Sequence, residues 1–473
     1  DLTPHTPHPT PHTPPLMTLN LFNEFYKATN PSKTLDITQK EDQKLYIDFS
    51  PVREEFSSFQ GKALIEQLKA PINLLSEDEP TCQLFTGHIG CGKSTELSRL
   101  KAELLAENFH VVYFQSDQEL EMNDVDVGDI LLAIAYQVSQ SLEGSQVNLP
   151  LQGLRALVQD ITNLLDSEVT GVELKVPTVG EFGIKEKQGE YALSVGMGKI
   201  MTTAKNSPPL RHLLREYIEQ RTKTIIDVIN TELIEPAIAQ LQQQGKRGLV
   251  VIVDNLDRVE IVSKSGGTPQ PEYLFVERGE QLRQLNCHVI YTMPLGLRFS
   301  KDYLRLTNRF GVEPKVLPMV PVTQRNGKEC EEGMERLRAM VMARAFPKLA
   351  PAQRLQEIPE VFDAPETLDR LCSISGGHVR ELQTIIREWM TLEEKLPLSR
   401  AGLEYVIRTR CNKIRLAIQP KEWELLRQVH KSQEVIGEDY YRLLVRSLFV
   451  YEYYDDQGSW FTVNPILVET GKL

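Results

Sequence analysis

The segment Gly87-His88-Ile89-Gly90-Cys91-Gly92-Lys93-Ser94 meets every fixed position of the pattern G-x-x-x-x-G-K-S and constrains the chain more than any other feature. Such a run works between a buried strand and a helix. Its glycines let the backbone turn N–H groups inward, and the positive end of the following helix helps them cradle phosphate. Cys82–Thr86 reads as the strand, and Ser94–Glu107, with Leu97, Leu100 and Leu104 on one face, reads as the helix. Lys93 is then expected to reach the β- and γ-phosphates of a nucleoside triphosphate, with Ser94 a ligand of Mg²⁺ and Thr95 at the edge of the loop. ATP with Mg²⁺ is the expected ligand pair.

Around this loop the order is strand, helix, strand, helix, which requires a parallel sheet with helical crossovers. A short strand at Leu45–Phe49 and a helix near Phe59–Lys69 precede it; His110–Phe114 and the Val127–Leu142 helix follow. The rhythm breaks over residues 143–245, expected to be an insertion within an NTPase core spanning 41–322. There Val172, Leu174 and Val176, then Phe182 and Ile184, alternate like a small hairpin, and Leu210–Gln244 reads as one long or two consecutive helices. The core resumes with the Leu249–Val253 strand, apolar on both faces as a central parallel strand must be. A helix near Glu272–Leu285 and strands at His288–Thr292 and Lys315–Val320 complete it.

Beyond residue 322 the strand signals stop. Glu331–Phe346, Ala364–Ile374 and Val379–Leu392 predict an all-helical lid over 323–400. Over 401–473, helices at Leu403–Leu416, Pro420–His430 and Gly437–Ser447 precede a hairpin, Phe449–Tyr454 and Trp460–Asn464, as in a winged helix. Residues 1–40 are expected to be disordered or extended. The T-P-H run at 1–16 cannot build a core and reads as a leader ahead of a natural start at Met17.

The run Val250-Val251-Ile252-Val253-Asp254-Asn255-Leu256-Asp257-Arg258 supplies the acidic element such a site needs. A carboxylate ending a buried strand is costly unless it faces a cation, so Asp254 is expected to hold Mg²⁺ beside Ser94. Asn255 cannot accept a proton. Asp257 is the next carboxylate, a candidate base or a structural partner of Arg258 with hydrolysis slow or absent.

These two segments together resemble bacterial AAA+/STAND-type ATPases, and Asp254 to Asp257 match the D-x-x-D/E pattern of STAND and KAP NTPases. Tyr291-Thr292 resembles the sensor 1 position, and Ser375-Gly376-Gly377-His378-Val379-Arg380-Glu381-Leu382 the sensor 2 helix; with the winged helix, the layout is similar to initiator ATPases. The resemblance implies an α/β P-loop NTPase core with a helical lid and a C-terminal winged helix. It implies that Thr292 bonds the γ-phosphate or attacking water and that Arg380 reaches the nucleotide from the lid. Arg309, with Arg305 as alternative, would then be a finger acting on a neighbour's site in a homo-oligomer.

Lys and Arg total 53 against 65 Asp and Glu, a net charge of −12, which gives no global attraction to nucleic acid or anionic membrane. No apolar run reaches the roughly 18 residues of a membrane span, and a cytoplasmic protein is expected. Six scattered cysteines without a C-x-x-C pair argue against a zinc site or disulfide framework. Residues 420–473 hold six Lys and Arg against nine Asp and Glu, so a protein partner is favoured there over DNA. Two functions follow: a nucleotide-driven switch that assembles or signals to a protein, as in STAND-type signalling or antiviral defence, or a DNA-acting ATPase using the winged helix and Arg408, Arg410, Lys413 and Arg415. A small-molecule kinase fits the lid and winged helix poorly.

Overall fold

The computed structural model describes residues 16–54, 64–74, 79–143, 147, 149, 151–169, 190–264 and 266–473. Five strands make one parallel sheet in the order β2-β3-β4-β1-β5: β1 (Cys82–Gly87), β2 (His110–Gln115), β3 (Leu249–Asp254), β4 (His288–Thr292) and β5 (Lys315–Leu317). All six residues of β3 are buried, as its two-sided apolar sequence requires. The register sets Gln115 beside Asp254 and Phe85 beside Thr292, so the carboxyl ends of β1, β3 and β4 share one edge. Ligands of open α/β sheets bind at that edge. The glycine loop leaves β1 there, and the chain has the P-loop NTPase fold.

The Lys93–Ala106 helix crosses one face of the sheet and buries Leu97, Leu100 and Leu104 fully. Each buried leucine contributes about 1.5–3 kcal/mol, so this stripe fixes the helix, and with it the loop, against the strands. On the opposite face Val127–Leu142 carries the layer. Its continuation, Gln152–Val169, Glu190–Asn206, Pro208–Glu219 and the run from Thr222 to Gln243, packs Leu154, Ile161, Leu214 and Leu233 into the same core as Val251 and Val253. The 143–245 stretch therefore thickens the core domain with helices. The hairpin expected at 172–184 lies outside the described residues, as does the T-P-H run up to residue 15.

Two expectations for the N-terminal region are corrected. Residues 16–40 are neither disordered nor merely extended: Leu16–Ala28 is a helix, with Phe25 fully buried among lid residues. Arg387 of the lid donates to the Tyr26 carbonyl at 2.9 Å and sits 3.9 Å above the Tyr26 ring. A helix this short is not stable by propensity alone, so only its tertiary partner reveals it. Leu45–Phe49 is no strand. Leu45 and Phe49 turn into separate clusters, and no sheet edge is offered to the backbone between them.

The lid is helical, with Glu331–Ala345, Pro365–Ile374 and Val379–Glu393 around a core that includes Leu337, Leu371, Ile385 and Trp389. Arg400–Leu416 adds Leu403, Val406 and Ile407 to that core. Arg410, offered above as a DNA contact, instead donates to Glu381 at 2.9 Å and Glu388 at 2.7 Å on the lid. Pro420–Ser432 and Gly437–Tyr440 lead to an antiparallel hairpin, β6 (Val450–Asp455) and β7 (Gly458–Val463). The hairpin does not project: Tyr451, Tyr453 and Trp460 join the core beneath the phosphate-loop helix. Among the described residues no helix is long and apolar enough to cross a membrane.

Candidate nucleotide site

Gly92 starts the loop helix with φ 108°, a left-handed conformation that costs any side-chain-bearing residue. Gly90, at φ 86°, also has no room: a Cβ would lie 2.8 Å from His378 Cε1 and 2.9 Å from Arg380 Cβ. The glycines of the motif thus serve both the turn and the close approach of the lid.

Inside the loop Lys93 is almost wholly buried. Its ammonium donates to the carbonyls of Gly87 and His88, both at 2.9 Å, and pairs with Asp257 Oδ2 at 2.9 Å. Burial alone would lower the Lys93 ammonium; Asp257, with Cys91 and Asp254 behind it, outweighs this and holds it above its ordinary value. Asp257 is therefore the partner of Lys93, not of Arg258. Arg258 pairs with Asp117 at 2.7 Å, and Asp117 also accepts from Asn255 Nδ2 at 2.8 Å. Asn255 adopts φ 65°, which Asn tolerates better than most residues, and so turns the chain after β3. The second oxygen of Asp257 is buried without a protein partner among the described residues.

Asp254 closes β3 with no exposed surface. It accepts from the Tyr113 hydroxyl at 2.8 Å and from the Asn255 amide at 2.7 Å. Burial first and the neighbouring Asp257 second push its carboxyl up, while hydrogen bonding from Ser94 and Tyr113 draws it back. A carboxylate and a hydroxyl side by side form a hard, oxygen-only donor set, and a carboxylate crowded by another has use for a cation; both fit Mg²⁺.

Thr292 is not among the residues that line the cleft. Its hydroxyl accepts from the Leu256 amide at 2.9 Å and, with no exposure, lies 3.4 Å from the Val253 carbonyl. It pins the turn that carries Asp257, a positioning role in place of the phosphate contact expected from the resemblance. Arg380 lines the cleft with Lys93, Asp257 and Arg258. Among the described residues its guanidinium has no hydrogen-bond or ion-pair partner, and burial, then Arg258, lowers its pKa. Arg309 donates to the Glu277 carbonyl at 3.3 Å and is not part of this cleft; Arg305 pairs with Asp302.

The outward side of the loop is held by other parts of the chain. His88 Nε2 accepts the Glu452 amide of β6 at 3.0 Å, and the Ile89 carbonyl meets His378 Nε2 at 2.8 Å. The Gly90 carbonyl accepts the Arg380 amide at 3.2 Å, and that of Cys91 accepts from buried Arg53 at 2.8 Å. His378 Nδ1 accepts from the Glu381 amide at 2.8 Å, which makes Nε2 the protonated nitrogen and a donor to Ile89. Burial lowers the His378 pKa to about 4. Glu452 also pairs with Arg298 at 2.6 Å, and the Tyr453 hydroxyl donates to Gly376 at 2.6 Å.

The cleft runs from the loop past Thr95 to Tyr46, Ile47, Phe49, Met340 and Val379, with a free volume of about 840 Å³, open mouth included. Sequence reasoning brought Lys93, Ser94, Asp254, Asp257 and Arg380 to one place. It missed the roles of Arg53, Tyr113, Asp117, His378 and Glu452. Only Tyr113, a polar-tipped side chain on the strand beside β3 and two residues from the partner of Asp254, carried a signal.

No protein-family description matches the chain, and no curated protein resembles it in sequence. Solved structures align over most of its length at low similarity. A Walker-type ATPase of Pyrococcus abyssi is 11% identical with TM-score 0.43, covering 94% of this chain and 100% of its own. Drosophila ORC bound to DNA is 11% identical with TM-score 0.37, covering 99% and 96%. Cdc6p from Pyrobaculum aerophilum is 10% identical with TM-score 0.36, covering 94% and 96%. At these values the site's own geometry carries the functional reading.

Proposed function

We propose that this chain is a molecular switch that binds ATP with Mg²⁺, hydrolyses it slowly, and transmits occupancy of its cleft to the C-terminal module, which has the elements of a winged helix. One observation carries this reading: three consecutive loop residues, His88, Ile89 and Gly90, are bonded on their outer side to β6, the lid histidine and the lid backbone. A displacement of the loop cannot leave either domain unmoved.

Asp257 neutralises Lys93. A γ-phosphate offers Lys93 and the unpaired Arg380 stronger, charge-assisted partners. Lys93 is then drawn off Asp257, whose carboxylate is left to accept a proton as water attacks the γ-phosphorus and the bond to the β-phosphate oxygen breaks. Mg²⁺, held by Ser94 and Asp254, would neutralise phosphate charge. Asn255 gives no help as a base, and Asp257 must leave a buried ion pair first, which suits slow turnover. The downstream event is assembly of copies of the chain, with Arg309 the candidate finger in trans, or signalling to a protein partner in the cytoplasm.

Calorimetry with Mg-ATP and sedimentation with and without nucleotide test this together. Binding by the wild type, its loss in Lys93→Ala and a nucleotide-dependent change in sedimentation are expected; binding without any change of assembly state would remove the assembly arm. The DNA-acting reading rests on Arg408, Lys413 and Arg415, which stay exposed on the Arg400–Leu416 helix. The buried hairpin opposes it. Duplex binding unchanged by reversing those three residues to Glu would sink it.

A further inference from the structure

Ile47, Phe49, Met340 and Val379 give the cleft an apolar part to its lining. Two polar side chains interrupt it. Arg344 is 4% exposed and donates to the carbonyls of Met340 at 3.1 Å and Leu45 at 3.4 Å. No carboxylate pairs with it among the described residues, and burial alone lowers its pKa to about 10. Gln383, 6% exposed, stands against it one helical turn from Arg380.

With the Gln383 oxygen toward Arg344, that oxygen accepts from Nε at 3.0 Å and Nη2 at 2.8 Å; the opposite orientation would set N–H groups against N–H groups. The fork of two bonds fixes the amide. Its carbonyl is consumed by Arg344, and because Gln383 lines the cleft its NH₂ is the end that can serve an acceptor there. A buried cation without an anion is costly, and here it serves to hold a neutral donor in one orientation.

Resting on the nucleotide reading of the cleft, we infer that Gln383 reads the base of the bound nucleotide by donating from its amide to a ring nitrogen of adenine, with Arg344 as the positioning residue. The apolar lining stacks and buries the ring. A donor that cannot flip recognises an acceptor on the base edge and leaves the exocyclic amino group unread at that point. The cleft's polar groups are thus divided: Lys93 and Arg380 address phosphate, and Gln383 addresses the base.

The test is calorimetric binding of Mg-ATP and of the 1-deaza, 3-deaza and 7-deaza adenosine triphosphates to wild type, Gln383→Leu and Gln383→Glu. One deaza analogue is expected to bind wild type about tenfold more weakly than ATP, and the penalty should vanish in both variants, which have lost the donor. The Glu variant keeps an acceptor for Arg344, so it guards against misfolding of the Leu variant. If all three analogues bind wild type within twofold of ATP, or the penalty persists in the variants, Gln383 does not read the base while the phosphate site stands. If wild type binds no ATP at all, the nucleotide reading falls and this inference with it.

Discussion

The two sides of the glycine loop are built to opposite specifications. On the cleft side charge is under-paired: Arg380 has no protein partner among the described residues, and one oxygen of Asp257 has none either. On the outer side His88, Ile89, Gly90 and Cys91 bond to the hairpin, the lid and Arg53. Incomplete pairing suits a surface that a polyanion completes; dense bonding suits a surface that carries displacement. The outer side is also not fully satisfied, since among the described residues His88 Nδ1 is buried without a partner. Such a group costs about 1–3 kcal/mol.

The largest expected effect separates chemistry from binding on the cleft side. Asp257→Asn should lower ATP turnover about a thousandfold while binding is kept, the loss typical of a missing general base. Wild-type turnover in this variant would give the base role to another group. Next, Lys93→Ala should weaken ATP by about 100-fold or more, roughly 3 kcal/mol, which is loss of binding at ordinary calorimetric concentrations; unchanged affinity would dissociate the loop from the ligand.

The outer side is sharpened by pH. Folded His378 stays neutral down to about 4, against an ordinary value of 6.5. Between those values the unfolded chain takes up a proton that the folded chain refuses. The contribution is therefore intact above pH 6.5 and is lost as pH falls toward 4, by at most about 3 kcal/mol. Denaturant midpoints should fall more steeply with acid in wild type than in His378→Gln, and parallel curves would refute the assignment. The smallest effect is Tyr453→Phe, which removes the bond to the Gly376 carbonyl and should cost about 1 kcal/mol in the same titration.

The sheet was legible because β3 is an uninterrupted apolar run ending in an aspartate and β1 is a short strand leading straight into the glycine loop. The same signals gave Lys93, Ser94, Asp254 and Asp257. Their partners were not legible. Arg344 and Gln383 are polar residues on lid helices, and nothing in their spacing marks them as facing a cleft. Thr292 was assigned to phosphate by resemblance, yet its neighbour is Leu256, because the turn after β3 comes back over β4 and needs an acceptor. The N-terminal helix and the inward packing of the hairpin depend on contacts hundreds of residues apart, such as Arg387 to Tyr26 and Glu452 to His88.

Coupling between the two sides is tested most directly by hydrogen exchange at the Glu452 amide, the β6 donor to His88, with and without Mg-ATP. Saturating nucleotide should speed exchange there at least tenfold, about 1.4 kcal/mol of loosened docking, and Lys93→Ala should abolish the response. Full nucleotide uptake with unchanged exchange at Glu452 would contradict the coupling.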